Sequence, residues 1–143
     1  MKKNISILTP CFNEQGNVRN LIESVAKVFE KLPEYSYEHI FIDNDSSDDT
    51  VKILKEMALI DTNVKVILNA RNFGHIRSPF YGMLQCKGDA VISLVADFQD
   101  PPELVQDFLK RWEEGYKIVI GIKNKSKENQ LMFTLRKFFY NLL

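Results

Sequence analysis

Short apolar runs rich in valine and isoleucine alternate along this chain with segments whose apolar residues recur at helical spacing. That alternation constrains the fold more than any other feature. The strand candidates are residues 5–9, 40–42, 64–68, 90–95 and 117–122. Most lack strict in–out alternation, as expected of strands covered on both faces. Between the first two, Val18, Leu21, Ile22, Val25, Val28 and Phe29 form a helical apolar stripe. Val51, Leu54 and Ala58 repeat it, with Ile53 and Met57 beside them, and Leu104, Val105, Phe108, Leu109 and Trp112 repeat it again. Residues 79–87 predict a shorter helix. Parallel neighbours need a crossover, usually helical, so the pattern predicts an α/β fold: a Rossmann-like, doubly wound domain with a mainly parallel sheet.

Bulk properties narrow the class. A length of 143 residues suits one compact domain, and 45% apolar with 27% charged residues is the composition of an ordinary globular protein. Nineteen basic residues balance nineteen acidic ones, so no overall field draws nucleic acid, and none is expected as a partner. Cys11 and Cys86 are too few and too far apart for a disulfide framework or a zinc site. The start lacks the apolar core of a signal peptide, and no run of about 18 apolar residues exists to span a bilayer. The expected location is therefore cytoplasmic.

In open α/β sheets, ligands bind outside the carboxyl ends of the strands, and the unusual residues fall there. Pro10, Cys11, Phe12, Asn13 and Glu14 follow the first strand candidate, and Asp43 to Thr50 the second. Asn69 to His75 follow the third and Asp97 to Glu103 the fourth. Asp97 and Gln99 are hard oxygen donors that no helix cap requires, and a carboxylate so placed can hold a divalent cation that in turn holds a diphosphate. Asp43, also uncalled for by capping, offers an acceptor to a nucleobase edge or ribose. Arg71 suits a phosphate or a surface acid such as Asp61, and Gly74 suits a tight turn or close ligand approach. His75 reads as a loop histidine.

Other polar residues have helix-end readings. Asn17 fits a cap for the first helix, leaving Glu14 as a loop group or a ligand contact. Ser46 or Ser47 with Asp48 and Asp49 reads as a helix start carrying acids at its positive end. Asp100 with Glu103 reads as a capping box, with Pro102 in the first turn and Pro101 keeping the backbone before it extended.

These loops, in this order, resemble the inverting family 2 glycosyltransferases with the GT-A fold. The nearest likeness is the branch acting on polyprenyl phosphates, which includes dolichyl-phosphate mannosyltransferase and bactoprenol glucosyltransferases. Pro10-Cys11-Phe12-Asn13-Glu14 matches its Pro-x-Tyr/Phe-Asn-Glu, and Ile42-Asp43-Asn44-Asp45-Ser46 with Asp48 and Thr50 matches its Val-Asp-Asp-Gly-Ser-x-Asp-x-Thr loosely. Arg71-Asn72-Phe73-Gly74-His75 and Asp97-Phe98-Gln99-Asp100-Pro101-Pro102-Glu103 match closely, while Gly121-Ile122-Lys123 and Lys127-Glu128 match faintly.

The resemblance implies a nucleotide-sugar pocket formed by Pro10, Phe12, Glu14, Asp43, Arg71, Ala96 and Asp97, with Asp43 on the base. It implies Mg²⁺ or Mn²⁺ on Asp97 and Gln99. The implied donor is a nucleoside-diphosphate sugar, a UDP-sugar first among them, and the implied acceptor is a lipid phosphate or another glycan in cell-envelope polysaccharide assembly.

Val95 stands where many relatives carry the first acid of an Asp-x-Asp pair, and Asn44 and Asp45 replace an acid and a glycine. Relatives also continue into an acceptor half that supplies the general base. The sequence is therefore expected to be a single donor-binding domain cut short before that half, with no catalytic residue to name. Residues 131–143, aromatic and basic, suit either a helix on the cytoplasmic face of a membrane or a core helix lacking its partner. Two other classes remain open: a nucleotide-sugar-binding module without turnover, and a nucleotidyltransferase, which would call for a glycine-rich phosphate loop absent after the first strand.

Overall fold

The computed structural model describes residues 2–122. The elements alternate as β1 (Lys3–Cys11), α1 (Val18–Glu30), β2 (Tyr35–Asp43), α2 (Thr50–Ile60), β3 (Val64–Leu68), α3 (Gly74–Gln85), β4 (Ala90–Ser93) and α4 (Leu104–Glu113). The strands form a four-stranded sheet in the order β3-β2-β1-β4, parallel throughout. The doubly wound α/β architecture expected from the sequence is what the chain adopts.

Alternate residues of the central strands serve opposite faces, which explains their unbroken apolar runs. Ile5, Ile7, Cys11 and Phe41 belong to the larger core, with Val18, Leu21, Val25, Leu54, Val105 and Leu109 from α1, α2 and α4. Leu8, Ile40 and Ile42 form the smaller cluster on the other face. There α3 comes close because Gly82 has no side chain: a Cβ would lie 2.8 Å from Leu8 Cδ1.

Toward the amino ends of the strands, the same face carries a closed polar cluster. Ser6 Oγ donates to Glu38 Oε1 at 2.6 Å, the Lys87 N–H donates to the same oxygen at 2.9 Å, and Lys65 Nζ pairs with Oε2. The Gly88 N–H donates to Ser6 Oγ at 2.8 Å. Burial alone would raise the Glu38 carboxyl, but these donors outweigh it and hold the group below its ordinary value.

Several expectations need correction. Residues 117–122 form no strand; Ile118, Ile120 and Ile122 stand 81%, 76% and 81% exposed. Strand propensity is realised only by pairing, and no described residue offers this segment a ladder. With the free edge of β4 it borders a cleft of about 930 Å³. The third helix is longer than residues 79–87, beginning at Gly74 and carrying Pro79 in its interior.

The cap assignments shift as well. Neither Asn17 nor Glu103, the residues at the starts of α1 and α4, makes a side-chain cap bond. Glu103 thus occupies the cap position itself and not the third helical position that a box with Asp100 requires. The proline pair intervenes: Leu104 and Val105 donate their N–H groups to the carbonyls of Pro101 and Pro102 in a tight opening turn. Ser46 and Ser47 do not start α2, whose cap position is Asp49. The matches at Lys123 and Lys127-Glu128, and the aromatic, basic residues 131–143, lie outside the described residues.

Candidate functional site

Register brings the loops to one edge. Cys11 pairs with Asp43, Asp43 with Leu68, and Leu8 with Ser93, so the chain leaves all four strands on the same side of the sheet.

The first two loops are latched through reciprocal polar bonds. The Asn13 N–H donates to Ser46 Oγ at 2.9 Å, and the Ser47 N–H returns a bond to Asn13 Oδ1 at 2.8 Å. The Glu14 N–H donates to Thr50 Oγ1 at 2.8 Å and the Gln15 N–H to Asp48 Oδ2 at 3.2 Å. Asp48 Oδ1 accepts from the Thr50 N–H and hydroxyl. Partial burial acts against the Asp48 charge, but these donors prevail and its carboxyl lies below the usual value. Asp48 and Thr50 have a structural role, but beyond the helix start expected of this segment they latch one loop to the other.

Asp43 is 1% exposed and its carboxylate is heavily engaged. Oδ2 accepts from the Asp45 and Ser46 N–H groups at 3.1 and 3.0 Å, and Oδ1 from Ser46 Oγ at 2.5 Å. The Cys11 thiol lies against the same carboxylate. Burial first, then the charges of Asp43, Glu14 and Asp48, push that thiol far above its ordinary value. Burial and these charges disfavour a thiolate at Cys11.

Asn44 ties in the third loop. Its Oδ1 accepts from the Phe73 N–H at 2.9 Å and Asn69 Nδ2 at 3.1 Å, while its Nδ2 donates to Asn72 Oδ1 at 2.9 Å. Gly74 has φ +81°, a left-handed turn that favours glycine, and no described protein atom lies within 4 Å of a Cβ there. Arg71 has no ion pair with Asp61; its guanidinium lies over the Phe73 ring at 4.9 Å, and both residues are exposed at the loop tip.

Among the other sequence-derived candidates, Pro10 is half-buried, Phe12 is 48% exposed, and Glu14 uses Oε2 to accept from Asn17 Nδ2 at 2.7 Å. Ala96 faces the main core at 3% exposure, so its methyl is not at the surface. Asp97 and Gln99 are exposed, and the Gln99 N–H donates to Asp97 Oδ1 at 3.1 Å. Phe98 between them has φ +57°, a costly conformation for a bulky residue. The other non-glycine residues with positive φ are Asn13 and Asp45, both in the loops on this same edge. Such backbone is held only where its surroundings over-determine it, and it concentrates at ligand sites.

The latch and the asparagine hub were not foreseen from the sequence. Their signal was available in the recurrence of Asn13, Asn44, Asn69 and Asn72 after successive strands.

The donor set suits a cation shared with a diphosphate better than a self-contained metal cage. No cluster of three or more ligating side chains occurs among the described residues. Mg²⁺-type sites on phosphates use one or two carboxylates and leave the remaining positions to phosphate and water. Asp97 with Gln99 fits that division.

The family model for glycosyl transferase family 2 matches residues 6–142. The chain belongs to this family. It is 36% identical over 139 residues to the uncharacterized glycosyltransferase YkcC of Bacillus subtilis (strain 168), covering 96% of this chain and 43% of the relative. It is 37% identical over 127 residues to the undecaprenyl-phosphate 4-deoxy-4-formamido-L-arabinose transferase of Proteus mirabilis (strain HI4320), covering 87% and 38%. The prophage bactoprenol glucosyl transferase homolog of Escherichia coli (strain K12) is 32% identical, with 96% and 45% covered. The chain thus spans less than half the length of these family 2 relatives.

Among solved structures, S. aureus TarS 1-349 superposes with a TM-score of 0.66 at 25% identity, over 93% of this chain and 40% of that one. The same protein in complex with UDP-GlcNAc gives 0.64 at 22%, over 90% and 37%. The GT-A fold expected from the resemblance is therefore shown. No helix among the described residues is long and apolar enough to cross a membrane.

Proposed function

We propose that this chain forms the donor-binding part of a glycosyltransferase that takes a sugar from a nucleoside-diphosphate sugar, with a UDP-sugar the first donor to test. The convergence of the post-strand loops carries the reading, with Asp97 and Gln99 presented on either side of the strained Phe98. Similarity to transferases named for undecaprenyl phosphate and bactoprenol supports a polyprenyl-phosphate acceptor at the cytoplasmic face of a membrane.

Pro10, Phe12, Glu14 and Asp43 flank the nucleoside end. With both oxygens engaged, Asp43 acts on the base chiefly by holding its loop in shape. Arg71, which pairs with no carboxylate among the described residues, is placed to meet the diphosphate. Asp97 and Gln99 would hold Mg²⁺ or Mn²⁺. When bound, the cation neutralises the diphosphate and eases its departure. An acceptor oxygen forms the new bond to the anomeric carbon opposite the breaking carbon–oxygen bond, inverting the centre and releasing the nucleoside diphosphate. A phosphate monoester is largely anionic near neutral pH, so it needs less help from a general base than a hydroxyl does. Such a base belongs to the acceptor half that the longer relatives carry.

Titration calorimetry with UDP-, GDP- and dTDP-sugars, with and without Mn²⁺, tests the proposal. Metal-dependent binding of one of them is expected, and Asp97→Ala abolishes it. No metal-dependent binding to any donor would sink the reading. Binding without transfer or donor hydrolysis would instead favour a nucleotide-sugar-binding module.

A further inference from the structure

We propose that the outward face of α3 is a docking surface for an anionic lipid bilayer. The buried side of this helix is narrow, formed by Ser78 and Gly82 against the sheet. The opposite side, at 3.6 residues per turn, carries Ile76, Phe80, Met83 and Leu84 at 71%, 61%, 48% and 64% exposure, with Tyr81 at 50% on its flank. Large apolar side chains aimed at solvent along two turns of one helix are not explained by packing among the described residues.

Charge says what covers this face. Residues 71–87 hold Arg71, Arg77 and Lys87 with His75 and no acidic residue, in a sequence whose nineteen basic residues are matched overall by nineteen acidic ones. An apolar helical face whose own segment supplies cations and no acid suits the boundary between acyl chains and anionic headgroups, although Met83 at its margin shares a cleft with Asp89 and Asp100. Beside it, a groove of about 430 Å³ runs along the edge of β3, lined by Leu68, Phe73, Ser78, Arg77 and Tyr81. It pairs an apolar floor with a guanidinium, as a lipid with a phosphate headgroup requires. Because α3 begins at Gly74, directly after Arg71 and Phe73, a bilayer against it would lie alongside the loop edge of the sheet. The inference is independent of whether a nucleotide sugar binds there.

Flotation of the full 143-residue chain with phosphatidylcholine vesicles, with and without phosphatidylglycerol, tests it. The chain is expected to float with the anionic vesicles and to be released by salt. Phe80→Ser with Leu84→Ser should weaken that partition about tenfold or more, and Arg77→Gln with Lys87→Gln should reduce its dependence on phosphatidylglycerol. Parent and variants share residues 131–143, so any difference between them belongs to the substituted side chains on and beside α3. These side chains are exposed, and circular dichroism confirms that each variant folds. Equal flotation of parent and variants overturns the proposal. So does self-association abolished by the same changes with no lipid dependence, which would make the face a contact between copies. As a second readout, Phe80→Trp in a Trp112→Phe background should be quenched by bromine-labelled lipid, and an unquenched spectrum would equally overturn it.

Discussion

Asn44 occupies a position that needs an amide, since Nδ2 donates to Asn72 Oδ1 while Oδ1 accepts from Asn69 Nδ2 and the Phe73 N–H. The more usual acid at this place could accept those two bonds but not donate the third. Asn44→Asp should therefore set a carboxylate against Asn72 Oδ1 and cost about 1–3 kcal/mol, read as a lower urea midpoint. Equal stability would mean that the loops do not depend on the hub. Asp97→Ala should abolish Mn²⁺-dependent donor binding while lowering the thermal midpoint by only a few degrees, because among the described residues its exposed carboxylate makes a single bond, from the Gln99 N–H. Asp43 shows what residue-level reading left out. It stood out because no helix cap required it, yet the group that does require it is the loop backbone of Asp45 and Ser46, which closes around it only once Asp45 takes φ +71°. A carboxylate claimed by its own loop and one held open for a ligand look alike in sequence.

Whole elements were more legible. Each of β1 to β4 and α1 to α4 overlaps a segment picked out by apolar spacing, because burial on a sheet face or a helix stripe writes a period into the residues that touch the core. Ends were less legible. The capping box expected at Asp100 gave way to a local proline turn, and the helix start expected near Ser46 to a loop-to-loop latch set by partners distant in the chain. Residues 117–122 carry a strand's composition without a strand's neighbour. The link between α3 and β4 was also silent in sequence, yet it is sterically the tightest joint. A Cβ on Gly88 would sit 2.6 Å from the Ser6 nitrogen and 2.8 Å from the Asn4 carbonyl oxygen, both backbone atoms that cannot swing aside. Gly88→Ala should cost about 1–3 kcal/mol or more, whereas Gly16→Ala, with nothing within 4 Å of the new carbon, should be neutral or mildly stabilising. Denaturant unfolding of the pair checks this; equal midpoints would show that the joint yields.

Across the whole molecule, the parallel sheet makes a site by placing its irregular backbone on one edge, while the interior beneath is closed to solvent. His39 belongs to that interior. Its Nε2 lies 3.0 Å from Thr9 Oγ1, its Nδ1 finds no partner among the described residues, and its ring tilts against Phe41 at 4.2 Å. Burial lowers its pKa from 6.5 to about 3, so the folded protein keeps the imidazole neutral. Between those values the unfolded chain binds a proton that the folded chain refuses. Stability is consequently whole above pH 6.5 and falls as the pH drops toward 3, by up to about 1.4 kcal/mol per pH unit from this one group. Glu38 has the same sign in a lower window. Its carboxylate is favoured in the fold, so its contribution is present above its ordinary value of 4.5 and lost as the pH falls through the depressed folded value. The two separate between pH 6.5 and 4.5, where only His39 changes its proton count. Unfolding midpoints measured across that interval should decline for the parent chain, and His39→Leu should flatten the slope whatever it does to absolute stability through the lost Thr9 contact. An unchanged slope in that variant would place the acid sensitivity elsewhere.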